Sequence, residues 1–307
     1  MTVNLLLVQL LNGTQLGILL FLVAAGLTLV FGVMNFINLA HGVQYMLGAY
    51  LAASLGTWSG SFWVGLVLAM PVALLIGLAL ELLVFRHLYD RDHLSQVLAT
   101  FGVIITLQEA VRALWGSAPL NVLQPDGLGG GIPIMPGLLY PAYRLVIIAT
   151  GIAVALLLWM LVDKTRTGML IRAGATHPAI VSALGVNINR LFTVVFGFGA
   201  MLAGFAGAMA GPVFAVEPGM SDNILILAFV VIVIGGIGSI RGAFLAALLV
   251  GLLDTTGRAF LPDLLHLILS ASAARQTGAA LASMLVYIAM AAILFFRPVG
   301  LFPARRA

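Results

Sequence analysis

Polar side chains recur at every third position of the apolar stretch MNFINLAHGVQYMLGAY, residues 34–50: Asn35, Asn38, His41 and Gln44. Amides and imidazoles hydrogen-bond polar solutes or one another. On an ideal helix successive members turn by about 60°, so the four form no single stripe unless the chain is locally tightened or unwound. Two interpretations are open: hydrogen bonds that hold helices together, or the polar lining of a translocation path or its gate.

Residues 94–115 contain further polar groups, and we expect Thr100 and Gln108 to line the same path. Glu109 and Arg112 are three residues apart, which favours an ion pair on one helix face. An unpaired carboxylate inside a membrane would instead indicate a proton relay. The sequence leaves both roles open for Glu109.

The sequence lacks the common catalytic and cofactor motifs. Lys164 is the sole lysine and follows Asp163, so the sequence has no G-x-x-x-x-G-K-[ST] phosphate loop. It has no cysteine and no H-E-x-x-H motif, and its five histidines are scattered. The sequence therefore predicts no enzyme, no metal site and no cofactor in this chain.

Composition indicates which elements must position these groups. The chain is 62% hydrophobic and 8% charged, whereas soluble domains have about 45–50% and about 25%. This predicts one all-α polytopic membrane domain over residues 1–307, beginning with a first span and not with a cleaved signal. Runs of about 20 apolar residues predict nine spans, within a range of eight to ten: residues 5–31, 36–56, 62–85, 94–115, 142–162, 189–214, 223–237, 242–257 and 280–296. The seventh and eighth are short and glycine-rich, which predicts broken or re-entrant helices.

Lysine and arginine residues predict the orientation, because cytoplasmic loops collect them. With the N-terminus outside and the C-terminus in the cytoplasm, ten face the cytoplasm: Arg86, Arg91, Lys164, Arg166, Arg172, Arg190, Arg241, Arg297, Arg305 and Arg306. Four face the outside: Arg112, Arg144, Arg258 and Arg275. The net charge of +4 therefore reports orientation and indicates no affinity for nucleic acid.

Three connecting segments follow from this orientation. Residues 116–141 form an external loop whose Gly and Pro content predicts turns or short strands. Residues 163–190 form the longest cytoplasmic loop. Residues 258–278 are apolar but interrupted by charged groups, which predicts an interfacial or re-entrant helix on the external face.

The cytoplasmic loop contains THPAIVSALG, which predicts a two-turn helix. Pro178 suits the first helical position, Thr176 or His177 the cap, and Gly185 the stop. Such a helix exposes four apolar side chains: Ala179, Ile180, Ala183 and Leu184. They either pack against the spans of the same chain or dock a cytosolic partner.

Four glycines in the stretch GGIGSIRG predict a second break in the helical pattern: Gly235, Gly236, Gly238 and Gly242. At an offset of 200 residues this stretch aligns with NFINLAHG, residues 35–42, and an Ala- and Leu-containing helix follows each. Transporters often build their pathway from discontinuous helices at equivalent places in two halves. We therefore expect the two breaks to be related.

Four stretches, spread in order along most of the chain, resemble the permease subunits of branched-chain amino acid ABC importers, the LIV type of the hydrophobic amino acid uptake family. They are GLTLVFGVMNFINLAHGVQYMLGAYLA (26–52), RAGATHPAIVSALGVNINRL (172–191), VVIVIGGIGSIRGAFLAALLVGLLD (230–254) and FFRPVGLFP (295–303). The resemblance implies a permease domain in the bacterial cytoplasmic (inner) membrane, surrounded by lipid.

The resemblance also implies partners. These are a second, related permease in a heterodimer, two cytosolic ATP-binding subunits that hold ATP and magnesium, and an external solute-binding protein. Residues 163–190 resemble the family's ATPase-coupling loop, which assigns coupling to Arg172, Thr176, His177, Pro178, Ile180, Ala183, Leu184 and Gly185. Relatives of this type also import urea, short-chain amides or small acids. A stand-alone secondary transporter or channel, with Glu109 and His41 as titrating groups, is the alternative from another class.

Overall fold

The computed structural model describes residues 3–122 and 124–302, and this part of the chain is mostly helical. Pro303, Arg305 and Arg306 lie outside the described residues. The helices are α1 (Val3–Met34), α2 (His41–Ser59), α3 (Phe62–Leu83), α4 (His93–Trp115), α5 (Ala142–Lys164), α6 (Arg166–Thr176), α7 (Pro178–Ala183), α8 (Ile188–Ala210), α9 (Met220–Gly235), α10 (Ile240–Leu265) and α11 (Ala271–Phe296). A short 3₁₀ helix, Phe85–Leu88, lies between α3 and α4.

Nine of these helices, all except α6 and α7, correspond one to one to the nine predicted spans. Seven of the nine are long and apolar enough to cross a membrane; the exceptions are α2 and α9. The all-α polytopic membrane fold is thus confirmed. The helix α9 is apolar but has only 16 residues, as its short glycine-rich pattern indicated. The prediction of a short, broken eighth span was wrong, because α10 is a continuous helix of 26 residues.

Helix α1 lies at the centre of the bundle, and 83% of its most apolar stretch is buried. It packs against α8 and α10, and also contacts α5 and α9. Glycines allow the close approach, since a Cβ on Gly17 would lie 2.8 Å from the Ala247 carbonyl oxygen of α10. Because lipid tails are as apolar as leucine, such close van der Waals packing holds membrane helices together.

The Gly- and Pro-rich segment 116–141 contains short strands, as predicted. Strands β1 (Gly131–Met135) and β2 (Leu138–Pro141) pair antiparallel, with Gly131 opposite Pro141. Gly137, with φ of 79°, provides the turn between them. Leu120, earlier in the segment, exchanges backbone hydrogen bonds of 2.8 and 3.0 Å with Val216.

Residues 258–278 form no separate interfacial or re-entrant helix, so that prediction was wrong. Helix α10 instead continues to Leu265, and α11 begins at Ala271, so both helices are longer than the predicted spans. The two pack tightly here: a Cβ on Gly278 would lie 2.7 Å from Cα of Pro262. This contact supports both helices at the proline, whose missing N–H otherwise weakens a helix.

Candidate functional site

The chain is non-helical from Asn35 to Ala40, between α1 and α2. Asn35 is exposed and has φ of 49°, a left-handed conformation that asparagine tolerates better than most residues. The segment then turns back, because His41 Nε2 lies 3.1 Å from the carbonyl oxygen of Val23. Met34 is 11 positions beyond Val23, or about 16 Å along a helix axis. Helix α2 therefore begins beside the middle of α1, and His41 lies far deeper than Asn35.

Three of the polar residues singled out from the sequence, Asn38, His41 and Gln44, are buried. A carbonyl oxygen only accepts hydrogen bonds, so His41 Nε2 is the protonated ring nitrogen and donates to the Val23 carbonyl oxygen. Among the described residues, both amide atoms of Asn38 and of Gln44, and His41 Nδ1, have no hydrogen-bond partner. A buried unpaired polar group costs about 1–3 kcal/mol. Unused hydrogen-bonding capacity is therefore concentrated at the start of α2, where a polar solute or water would satisfy it.

Thr100 and Gln108 lie on the face of α4 that is turned toward the bundle, and their environments differ. The Thr100 hydroxyl donates to the Gln96 carbonyl of its own helix at 2.9 Å. Gln108 Nε2 donates to Ser221 Oγ and to Asp222 Oδ1, both at 2.8 Å, at the start of α9. Gly42 of α2 packs on the backbone of Ser221. The structure thus brings Gln108 close to the buried polar residues, while the Thr100 hydroxyl is engaged locally.

The polar pair Ser221 and Asp222 was not selected from the sequence. The sequence feature that could have identified the pair is the presence of a serine and an aspartate directly before the predicted span 223–237. Glu109 and Arg112 form the expected ion pair, with both side chains exposed.

The glycine stretch forms a second break, between α9 and α10. Gly235 ends α9, while Gly236 and Gly238 have φ of 99° and 80°. Gly242 lies in the first turn of α10 and donates its amide to Ser239 Oγ at 3.1 Å. A Cβ on Gly32 would lie 2.7 Å from Cα of Gly238. The last turn of α1, which leads into the first break, is therefore in contact with the second.

The segment 163–190 contains α6 and α7, and α7 has the predicted start and stop. Pro178 is its first residue, His177 occupies the cap position without a side-chain hydrogen bond, and Gly185 has φ of 89°. Thr176 ends α6, where its hydroxyl donates to the Arg172 carbonyl at 3.0 Å.

The apolar side chains predicted to be exposed on α7 are exposed, with Ile180 at 58% and Leu184 at 79%, together with Ala179 and Ala183. Val181 is the buried residue of α7, which packs against α6 and α8. An ion pair between Asp163 and Arg241, at 2.5 Å, connects the beginning of the segment to α10.

The family described as branched-chain amino acid transport system / permease component matches residues 9–294. The chain belongs to this family. It is 32% identical over 261 residues to the permease BraD of Pseudomonas aeruginosa, covering 81% of this chain and 85% of BraD. It is 30% identical over 266 residues to LivH of Escherichia coli, covering 82% and 86%. It is 26% identical over 253 residues to the probable permease LivH of Methanocaldococcus jannaschii, covering 77% and 76%. No solved structure matches the chain.

The permease also contains a buried carboxylate that was missed in the sequence. Glu81, near the end of α3, is fully buried. It accepts hydrogen bonds from Arg86 Nη2 at 3.3 Å and from the Tyr89 hydroxyl at 3.1 Å. Burial, and secondarily the Glu81 carboxylate, raises the pKa of Tyr89, so its hydroxyl remains a donor. The available signal was one glutamate inside the apolar run LALELLVF, because intramembrane charges need partners.

Gln96, a polar residue of α4 that was not selected as a site residue, connects the first helix break to the permease segment that precedes α4. Its side-chain oxygen accepts from the Ile37 amide at 3.4 Å. Its nitrogen donates to the carbonyls of Leu88 and Arg91, at 3.2 and 3.1 Å. Gln96 is 2% exposed, so its hydrogen bonds to the break are shielded from solvent.

Proposed function

We propose that this chain is the membrane-spanning subunit of an ABC importer that moves branched-chain amino acids, or a similar small polar solute, across the cytoplasmic membrane. The family match over residues 9–294 carries this proposal. BraD and LivH of Escherichia coli are named as high-affinity branched-chain amino acid permeases. These relatives favour amino acids over urea or short amides as the solute.

In this proposal the break Asn35–Ala40 and the start of α2 line the path or its gate. Support comes from Asn38, His41 and Gln44, which hold buried polar atoms without a hydrogen-bond partner among the described residues. Asn35 at the surface and Gln108 beside α9 extend the polar lining, and Thr100 lies on the same face of α4. Polar groups inside a membrane are costly, so their grouping around one break supports a role in passage.

The segment 163–190 would couple the permease to ATP hydrolysis on a partner. Its support is the exposure of Ile180 on α7 and of Leu184 directly after it, which leaves an apolar surface for a docking protein. Arg172 is also exposed and would flank the contact, with Thr176, His177, Pro178, Ala183 and Gly185 shaping the helix. The chain itself has no phosphate loop, so ATP and magnesium would bind two partner ATPases and this subunit would not be an enzyme.

We infer an orientation with the N-terminus outside and the C-terminus in the cytoplasm. The ends of α1, α5 and α9 lie at one face of the bundle together with the start of α10. The Gly32–Gly238 contact and the Asp163–Arg241 ion pair support this grouping. Lys164, Arg172 and Arg241 belong to this face, and the positive-inside rule makes it cytoplasmic. The hairpin 131–141 would then be external, where a solute-binding protein docks.

The assembly would contain this permease, a second related permease, two ATPases and the solute-binding protein. Co-expression of the five components, with an affinity tag on this chain, tests the assembly. Retention of an ATPase and ATP-dependent leucine uptake in proteoliposomes are expected. Uptake by this chain alone without ATP, or an assembly that takes up urea but no leucine, would contradict the proposal.

A further inference from the structure

We propose that the segment between α3 and α4, residues 84–92, transmits movement from the start of α8 to the first helix break. We call this segment the relay; Glu81 and Gln96 flank it as positioning residues. The proposal rests on the proposed function, because α8 begins within the segment 163–190 that would dock the ATPase.

The relay is attached to α8 by one polar and two aromatic contacts. Arg86 Nη2 donates to Thr193 Oγ1 at 2.8 Å. The rings of Phe85 and Phe196 are 5.2 Å apart, and those of Tyr89 and Phe192 are 6.0 Å apart. All three partners on α8 lie within its first nine residues. A displacement of α7 and the beginning of α8 would therefore reach the relay directly.

The relay is attached to the helix break through Phe36 and Ile37. The Phe36 ring lies 5.5 Å from the rings of both Phe85 and Tyr89. The Ile37 amide donates to Gln96, which in turn binds the carbonyls of Leu88 and Arg91. Phe36 is fully buried. The residues held by the relay thus lie between Asn35 and Asn38 of the proposed path.

Glu81 makes the relay move as one body. Its fully buried carboxylate binds Arg86 and Tyr89 together, and these are two of the three relay side chains that contact α8. Removing one partner of a buried charge leaves it uncompensated, which opposes separate movement of the two side chains. The relay therefore keeps its contacts when α8 shifts.

The first helix break is the element whose backbone can change conformation. Residues 35–40 make few helical hydrogen bonds, so their backbone angles can change without disrupting α1 or α2. Non-helical residues at helix ends commonly absorb such changes in hinge motions. A shift of Phe36 would move Asn38, whose amide has no hydrogen-bond partner among the described residues. Movement of the relay would thereby open or close the polar path.

Uptake per ATP hydrolysed, measured with the complete importer in proteoliposomes, tests the relay. The variants are Tyr89→Phe, which removes one hydroxyl, Glu81→Gln and Gln96→Ala. We expect leucine uptake per ATP to fall at least about 5-fold, the lower end of typical coupling between sites, while hydrolysis continues. The control is Glu109→Gln, which removes a carboxylate from the exposed pair with Arg112 and should leave the ratio unchanged.

A second measurement distinguishes transmission from simple stabilisation. The chain contains no cysteine, so Ile37→Cys provides a single reporter at the break. Its alkylation rate by a maleimide should change when a non-hydrolysable ATP analogue is added, and Tyr89→Phe should abolish this change. A change that persists in Tyr89→Phe, or variants with unaltered uptake per ATP, would overturn the relay. An intact assembly without ATP-dependent uptake would instead overturn the proposed function, and the relay with it.

Discussion

The substitution Gly26→Ala tests whether the contact of α1 with α8 and His41 is as close as the structure indicates. A Cβ at Gly26 would lie 2.5 Å from the Gly199 carbonyl oxygen and 2.9 Å from His41 Nε2. Ordinary contact begins at 3.4 Å, so α8 would have to move by about 0.9 Å. Its backbone cannot rotate away as a flexible side chain would. The imidazole would also have to leave the Val23 carbonyl.

Overpacking of this kind costs about 1–3 kcal/mol, and the lost hydrogen bond adds about 0.5–1.5 kcal/mol. The midpoint of thermal unfolding shifts by roughly 2–4 °C per kcal/mol in chains of about 150–250 residues. We therefore expect purified Gly26→Ala to unfold several degrees below the wild type. Leucine uptake should fall as well, because His41 is displaced from the start of α2.

The matched control is Gly102→Ala, also in a helix, where a Cβ would have no atom within 4 Å. There alanine should raise stability slightly, because glycine is the poorer helix former by about 1 kcal/mol. Differential scanning fluorimetry in one detergent compares the two variants. Equal midpoints for Gly26→Ala and the wild type, with unaltered uptake, would refute the close contact of α1, α8 and His41.

Three further predictions concern the other elements. Ile180→Asp should leave the permease folded in the membrane but abolish ATP-driven uptake, because a charge replaces an exposed apolar docking residue; retained ATPase in a pull-down with normal uptake would contradict this. Gly236→Ala should lower the unfolding midpoint, because φ of 99° strains an L-residue by about 1–2 kcal/mol, whereas Gly129→Ala, in open space, should not. Hydrogen bonds from the Ser95 hydroxyl and amide lower the pKa of Asp92 below its ordinary 3.8, so its stabilisation of α4 is complete above that pH and is lost as pH falls through the lowered pKa. Asp92→Ala should therefore lower the unfolding midpoint at pH 6 but have little effect near pH 2, and an equal effect at both pH values would argue against the cap.

Local patterns predicted much of this fold. Hydrophobic runs located all nine long helices, and the placement of Pro178 and Gly185 located α7, because helix ends depend on nearby residues. The prediction for residues 258–278 was wrong because the conformation there involves contacts between distant residues. There α10 continues through Pro262 and packs closely on Gly278 of α11, a contact between helices that composition does not encode.

The candidate site was only partly predictable, for the same physical reason. Asn35 and His41 are only six positions apart, but the contact of His41 with Val23 places the imidazole beside the middle of α1. The partners of Glu81 and Gln96 are local, yet their connection to Phe36 and α8 depends on three-dimensional packing. Sequence identified groups that need partners, whereas structure identified the partners.

The enclosure of α1 has a consequence for how the permease assembles in the cell. A ribosome completes α1 more than 200 residues before α10, yet Gly13 of α1 packs against Gly251 of α10. Until α10 is inserted, the face of α1 that it will cover must be exposed to lipid. Residues 16–27 of α1 carry no polar side chain, so this stretch tolerates temporary contact with lipid. The start of α2 carries polar residues that are buried in the folded permease. Their burial requires α8 and α9, which are inserted later.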